Sequence, residues 1–368
     1  VKILYINGTY EGGSLRSTRE LLAQLPREDA VSRLILAQQP GRIDGYLRRR
    51  ATNLAVKLGG HEPQNIVERM NRTLGRRATY LGSDEWSSSV VENAAAAFSA
   101  SWNPDVVVVS SVDRVAWRRI RRDTADAGVP CVLYLREEAL LAHLGLTAPP
   151  DLVLANSRGL VDSCKRLGFD AVLVPSVIDL GRCEIESERT TALLVNSTIA
   201  YGLERVIELA ELCPNIDFVL QESTQMTTTD VDLTKSSCRQ LGNLEFRPFR
   251  QNPADVYRDA RVMLAPYTDS LESNRPRSVL ESQWNGIPVV GTSRAGLRDA
   301  VGPGGVLLAP DAGMSEWVAT LTALFESSDV YNDLVTKARE HSQRDEVDPV
   351  TIGALFIAAL KGVVAAGS

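Results

Sequence analysis

Apolar runs of four to seven residues alternate along the chain with longer stretches of helical period. The runs are KILYIN, SRLILA, VVVVSS, VPCVLYL, LVLANS and AVLVPS in the first part, then ALLVNS, DFVLQE, LEFRPF, VMLAPY, PVVGTS and VLLAP in the second. Near-continuous apolar strands separated by helices are the mark of a parallel sheet covered on both faces. So many strands fit two successive units better than one very large sheet, which predicts an α/β fold of two doubly wound, Rossmann-like parallel-sheet domains. The polar stretch IDLGRCEIESERTT, residues 178–191, carries neither period and marks the division. The expected domains are 1–183 and 184–345, followed by a C-terminal helix over 346–368 that packs back across both. No repeat of solenoid length interrupts this pattern.

Composition agrees with a globular reading: 368 residues are 44% hydrophobic and 23% charged. That length suffices for two separate cores. No segment approaches the run of about 20 apolar residues that crosses a bilayer, and the chain opens on a strand, so a cytoplasmic protein is expected. Cys131, Cys164, Cys183, Cys213 and Cys238 have no paired spacing, and reduced thiols are expected. His61, His143 and His341 lie far apart in no ligand-spaced motif, so no metal is expected.

Charge is unevenly spread, with about 20 Lys/Arg against 16 Asp/Glu in residues 1–150 and an acidic remainder, for a net charge of −6. Basic residues cluster in YLRRRATNLAVK, RTLGRRATY and RVAWRRIRRD. These clusters read either as solvated helix faces or as a surface for an anionic acceptor or a membrane, which would give peripheral contact through the first domain. Nucleic acid is not expected, because no aromatic residues interleave with the basic runs.

Open α/β sheets bind ligands beyond the carboxyl ends of their strands, so the loops there are the places to look. NGTYEGGSLRST follows the first strand; Gly12 and Gly13 let backbone amides approach a phosphate, with Ser14 as the expected helix cap, although a tight turn would use the same glycines. LYLREEALLAHLGL places Arg136 directly after a buried strand, projecting to where an acceptor or phosphate would lie. Glu137 and Glu138 fit the first helical turn, and His143 reads as structural.

LESNRPRSVLESQWNGIPVVGT is the richest loop. Ser273 or Asn274 can cap a helix, Pro276 fits its first turn and Gly286 ends it. The amides of that turn face an anion, and the forks of Arg275 and Arg277 suit phosphate oxygens. Glu281 is an acceptor-only group able to bind two vicinal hydroxyls, a combination that suits a ribose diphosphate. The alternative is a surface network in which Arg275 and Arg277 pair with Glu272 and Asp269.

Three stretches resemble the retaining nucleotide-sugar glycosyltransferases of the GT-B fold, the large family of sucrose, mannose and antibiotic glycosyltransferases. They are VLANSRGLVDSCKRLGFDAVLVPSVID, NLEFRPFRQNPADVYRDARVMLAPY and, most specifically, RSVLESQWNGIPVVGTSRAGLRDAV. The resemblance implies two domains facing each other across a cleft and a nucleoside diphosphate sugar as donor. It implies that Glu281 binds the donor ribose and that amides of Arg275 to Ser278 hold the diphosphate. Gly12 and Gly13 would approach the phosphates from the other domain, and Arg247 to Phe249 would bracket the base.

The departures from the family pattern are as informative. The family's first glutamate falls on Ser273, with Glu272 one residue displaced, so Ser273, Glu272 and Arg136, which stands where a histidine is usual, are the candidate catalytic positions. The family's arginine and lysine clamp falls on Ser197 and Tyr201, with Gly202 retained. Asn274, Arg275, Arg277 and Ser278 complete the expected donor site, and the two arginines are placed to supply the missing charge. The resemblance implies sugar transfer with retention, needing no cofactor, metal or covalent nucleophile. A non-catalytic glycosyltransferase-like partner or binding subunit, and a sugar-nucleotide epimerase, are the alternatives.

Overall fold

The structure, a computed structural model, describes residues 1–9, 12–37, 79–82, 84–143, 149–222, 226–250, 252–271 and 275–367. The chain divides into two compact units. The first holds Val1–Leu154, Leu167–Val172 and Gly353–Ser368, and the second holds Ala155–Arg166 and Leu173–Ile352.

The first sheet contains β1 (Lys2–Asn7), β2 (Val31–Ala37), β3 (Thr79–Gly82), β4 (Glu85–Ser88), β5 (Val106–Ser110), β6 (Cys131–Leu135), β7 (Leu152–Ala155) and β8 (Val172–Leu173). Their order is β3-β4-β2-β1-β5-β6-β7-β8. β4, β2, β1, β5 and β6 pair in parallel, and only the short edge strand β3 is shown antiparallel, against β4. All five residues of β5 and of β6 are buried, as expected of strands covered on both faces. β3 and β4 are absent from the expected strands, because TYLG and EWSS are four-residue edge segments with little apolar run.

The second sheet contains β9 (Thr191–Val195), β10 (Asp217–Gln221), β11 (Leu244–Arg247), β12 (Ala260–Ala265), β13 (Val289–Thr292) and β14 (Gly305–Leu308), in the order β11-β10-β9-β12-β13-β14. Every pairing in it is parallel. One face packs Leu194, Phe218, Leu264 and Trp317; the other packs Leu193, Val219, Met263 and Tyr257. Each strand therefore sends alternate residues into two cores.

The helix Pro349–Gly367 corrects one expectation, since by length and composition alone it is apolar enough to span a bilayer. Ile352, Phe356, Ile357 and Leu360 are nevertheless buried, and the Phe356 ring lies 6.3 Å from that of Tyr134. A helix with one buried stripe serves as core even when its other face is apolar. All five cysteines are free thiols.

Candidate functional site

In each sheet the chain reverses its winding direction at one point, so that the connections from the two strands there run to opposite sides of the sheet. In the first sheet this point lies between β1 and β5, in the second between β9 and β12. Such switch points are where open α/β sheets hold ligands. Both are marked by backbone strain: Ser111, just after β5, has φ of 53°, and Asn196, just after β9, has φ of 62°. Left-handed conformations at non-glycine residues persist where the surroundings impose them, and functional sites are where they gather.

At the first switch point Gly8 lies so close to Ser111 that a Cβ would fall 2.0 Å from its carbonyl oxygen. The Gly8 amide donates to the Ser110 carbonyl, and the hydroxyls of Ser14 and Ser111 lie 3.0 Å apart. The helix Gly13–Ala23 begins behind Gly12, whose φ is 93°. Gly12 is itself the N-cap residue and no side chain caps the helix, which corrects the role expected of Ser14. Ser14 is spent on Ser111.

Arg136 does not project from its strand as expected. It is 6% exposed, and its guanidinium carbon lies 4.3 Å from the centre of the Tyr134 ring. Burial opposes its charge, but the neighbouring Tyr5, Tyr134 and Glu20 outweigh that and hold its pKa above the ordinary value. Glu138 opens a short 3-10 turn that ends at His143.

The second switch point is built by two loops that touch. The Thr268 amide and hydroxyl both donate to the Ala200 carbonyl, at 3.1 and 3.0 Å. The rings of Tyr201 and Tyr267 meet edge to face at 4.8 Å. Gly202 adopts φ of 87°, and a Cβ there would lie 2.2 Å from the Pro266 carbonyl oxygen. Only glycine allows the loops to close this way. Ser197, fully buried, donates its hydroxyl to the Gln221 carbonyl at 3.0 Å. Ser197 therefore braces β10 and Tyr201 braces Tyr267, and neither position brings a charge.

The helix Arg277–Trp284 follows β12. Pro276 stands in extended conformation as its N-cap residue rather than in the first turn, so the helix starts two or three residues later than a cap at Asn274 or Ser273 would place it. Glu272, Ser273 and Asn274 lie outside the described residues. Ser278 is buried within the first turn. Glu281 is 7% exposed; its Oε2 accepts from the Tyr257 hydroxyl at 2.7 Å, and its Oε1 lies 3.5 Å from Arg277 Nε. Burial, and then Glu281, push the Tyr257 phenol well above its usual pKa, which keeps it a donor.

Arg277 also donates to the Val177 carbonyl at 2.9 Å, and Arg275 Nε lies 3.9 Å from Asp299. Of the alternative network, the partner Glu272 lies outside the described residues, and Asp269 pairs with Arg294. Arg247 bonds Asp259 and Glu245, so its guanidinium is committed to carboxylates, and burial is outweighed in raising its pKa. Phe249 is 49% exposed, and its amide donates to Glu222 at 2.8 Å, which leaves the ring in solvent beside the end of β10.

Two contributors escaped the sequence reading. Asp230 Oδ1 accepts from the Ile199 amide at 2.9 Å while Oδ2 closes a capping box with Thr227. The T-x-x-D spacing of Thr227 and Asp230 signals the cap, but nothing local signals the bond to the β9 loop. Arg294, within the RAGL segment after β13, donates from Nε to the Tyr267 carbonyl at 3.3 Å.

Residues 221–327 match the family model described as Glycosyl transferases group 1, a span that includes β12, β13 and the helix between them. Sucrose-phosphate synthase from Thermosynechococcus elongatus is similar with a TM-score of 0.75 at 11% identity, over 100% of both chains. HepE from Anabaena, solved in complex with UDP, is similar with a TM-score of 0.71 at 14% identity, over 98% of this chain and 100% of the other. The chain has the GT-B glycosyltransferase fold. AviGT4, a glycosyltransferase involved in avilamycin A biosynthesis, is a further GT-B neighbour, with a TM-score of 0.59 at 14% identity over 100% of this chain and 98% of the other. No curated protein sequence matches the chain.

Proposed function

We propose that this GT-B chain transfers a sugar from a nucleoside diphosphate sugar to an acceptor hydroxyl, with retention at the anomeric carbon. The observation that carries the reading is the second switch point, where the β9 loop touches the β12 loop, and the β12 loop, the helix start after it and the buried Glu281 lie within the family-matched span. UDP bound by HepE supports a uridine nucleotide as the first donor to test.

In this reading the amides of Arg277 and Ser278 receive the diphosphate, aided by the helix dipole. Tyr257 holds one oxygen of Glu281, and the other, 3.5 Å from Arg277 Nε, would accept from ribose hydroxyls. Bond breaking releases the nucleoside diphosphate from the anomeric carbon, the acceptor oxygen bonds to that carbon on the same face, and the acceptor proton passes to the departing phosphate. The chain's part is to stabilise charge growing on the diphosphate, which is electrostatic work. Glu272 and Ser273 keep their candidate roles at the sugar end, with Gly12 and Gly13 on the first unit's loop. Arg136 supports the end of β6.

Peripheral contact with an anionic acceptor or membrane stays part of the proposal for the first unit. Arg114, Arg118 and Arg122 are exposed along the helix Arg114–Asp126; YLRRRATNLAVK and most of RTLGRRATY lie outside the described residues.

A panel of uridine, guanosine and thymidine diphosphates in a thermal-shift titration tests the donor site, because a ligand that binds only the native state stabilises it. The expected result is a rise in the midpoint of one unfolding transition with one base. Hydrolysis of the matching nucleotide sugar, followed by proton NMR of the released sugar before mutarotation, then reads the stereochemistry. Binding without turnover in the presence of varied acceptors would favour the non-catalytic alternative, which Ser197 and Tyr201 at the clamp positions make worth testing.

A further inference from the structure

We propose that Arg294 is the cation that meets the donor diphosphate, and that Asp269 occupies it in the nucleotide-free protein. The inference rests on the donor-site reading above and supplies the charge missing from it.

On the donor-site reading the diphosphate lies at the second switch point. The loop after β9 and the loop after β12, which touch through Thr268 and Ala200, flank the second switch point, and the Arg277–Trp284 helix follows β12. Ser197 and Tyr201 bring no charge to the switch point. Arg277 is turned towards Val177 and Glu281, and Arg275 towards Asp299. Arg294 differs in direction: its Nε lies 3.3 Å from the carbonyl of Tyr267, the residue whose ring touches Tyr201 and whose neighbour Thr268 is bonded to Ala200. The guanidinium thus borders the β12 loop at the second switch point.

Its carboxylate partner points the same way. The Arg294 side chain is 12% exposed, whereas that of Asp269 is 89% exposed, on a short 3-10 turn of the same β12 loop. A guanidinium fork presents parallel donors that suit carboxylate and phosphate alike. An ion pair with so exposed a carboxylate contributes little, because water screens it and the side chain loses freedom in forming it. A diphosphate carries more charge and more acceptor oxygens. It would displace Asp269 into solvent while leaving Arg294 anchored on Tyr267.

The test is isothermal titration calorimetry of the full chain with UDP, UMP and uridine, or with the matching set if another base is preferred. Arg294→Ala should weaken diphosphate binding about ten-fold or more, the monophosphate less and the nucleoside not at all. Arg294→Lys should recover part of the loss. Asp269→Asn, at an exposed position that leaves the fold alone, should tighten diphosphate binding, most at low salt. Unchanged diphosphate affinity in Arg294→Ala, or equal losses for all three ligands, would overturn the proposal while leaving the donor-site reading intact. Weaker binding in Asp269→Asn would overturn it too, even if Arg294→Ala failed to fold. A wild-type chain that bound none of the diphosphates would sink both.

Discussion

Glu281 shows how one residue's chemistry depends on neighbours that the sequence does not place beside it. A buried carboxylate is costly unless its oxygens are satisfied, and Tyr257, 24 positions earlier, supplies the donor. Tyr257→Phe removes that hydroxyl and nothing else. It should destabilise the chain by about 1–3 kcal/mol, measured by urea unfolding, because an acceptor is left buried without its partner. A cost near zero would mean that Glu281 takes another donor. His341 offers a pH test of the same kind. Burial first, then Arg344, with Arg275 adding to it, lower its pKa to about 4, against the backbone of Ala300 and Glu346, which raise it. An unfolded histidine titrates near 6.5, so between these values the unfolded chain binds more protons. Stability is therefore full above about pH 6.5 and declines as pH falls towards 4. His341→Gln should flatten the decline over that window in urea midpoints; an unaltered slope would remove His341 from the explanation.

At the scale of elements, the loop after β9 is held by a helix that is not its neighbour in the chain. Asp230 caps the helix Thr228–Gln240 and accepts from Ile199 with its second oxygen. Asp230→Ala should cost about 1 kcal/mol as a lost cap partner, and more as a loosened loop. If the loop forms the donor site, nucleotide affinity falls along with stability. Thr227→Ala, which removes the cap without touching Ile199, should reduce stability with a smaller effect on affinity. Equal effects of the two on affinity would show that the bond to Ile199 has no part in binding. The contrast also explains what was legible beforehand. Strands such as VVVVSS and VPCVLYL declare themselves, because burial on both faces demands unbroken apolar runs. Gly12 at the head of the first helix, a helix after the proline at 276 and Gly286 at its end were readable from turn chemistry. Where Pro276 sits, and that Ser14 turns to Ser111, follow from loop conformations and contacts 97 positions apart, which no local pattern encodes. Arg294 escaped as a site residue for the same reason: its partner is a carbonyl 27 positions earlier.

At the scale of the whole molecule, the chain's first and last segments belong to the same unit, while the switch point proposed as the donor site belongs to the other. Residues from Gly353 on group with Val1–Leu154, and Phe356 and Leu360 are fully buried there. The second unit holds two cores of its own, on the two faces of its sheet. Two units with separate cores can unfold as separate cooperative steps, for which a single Tm has no meaning. Differential scanning calorimetry should then resolve two transitions. A nucleoside diphosphate at 100 times its Kd should raise one of them, since binding adds about 2.7 kcal/mol to the unit that carries the site. Deleting residues from Gly353 onward should lower the other, because that unit loses a helix whose buried side chains cost several kcal/mol each to remove. If the ligand and the deletion moved the same transition, the donor site would need the first unit to form, and the second unit's switch point would not be sufficient to bind the nucleotide.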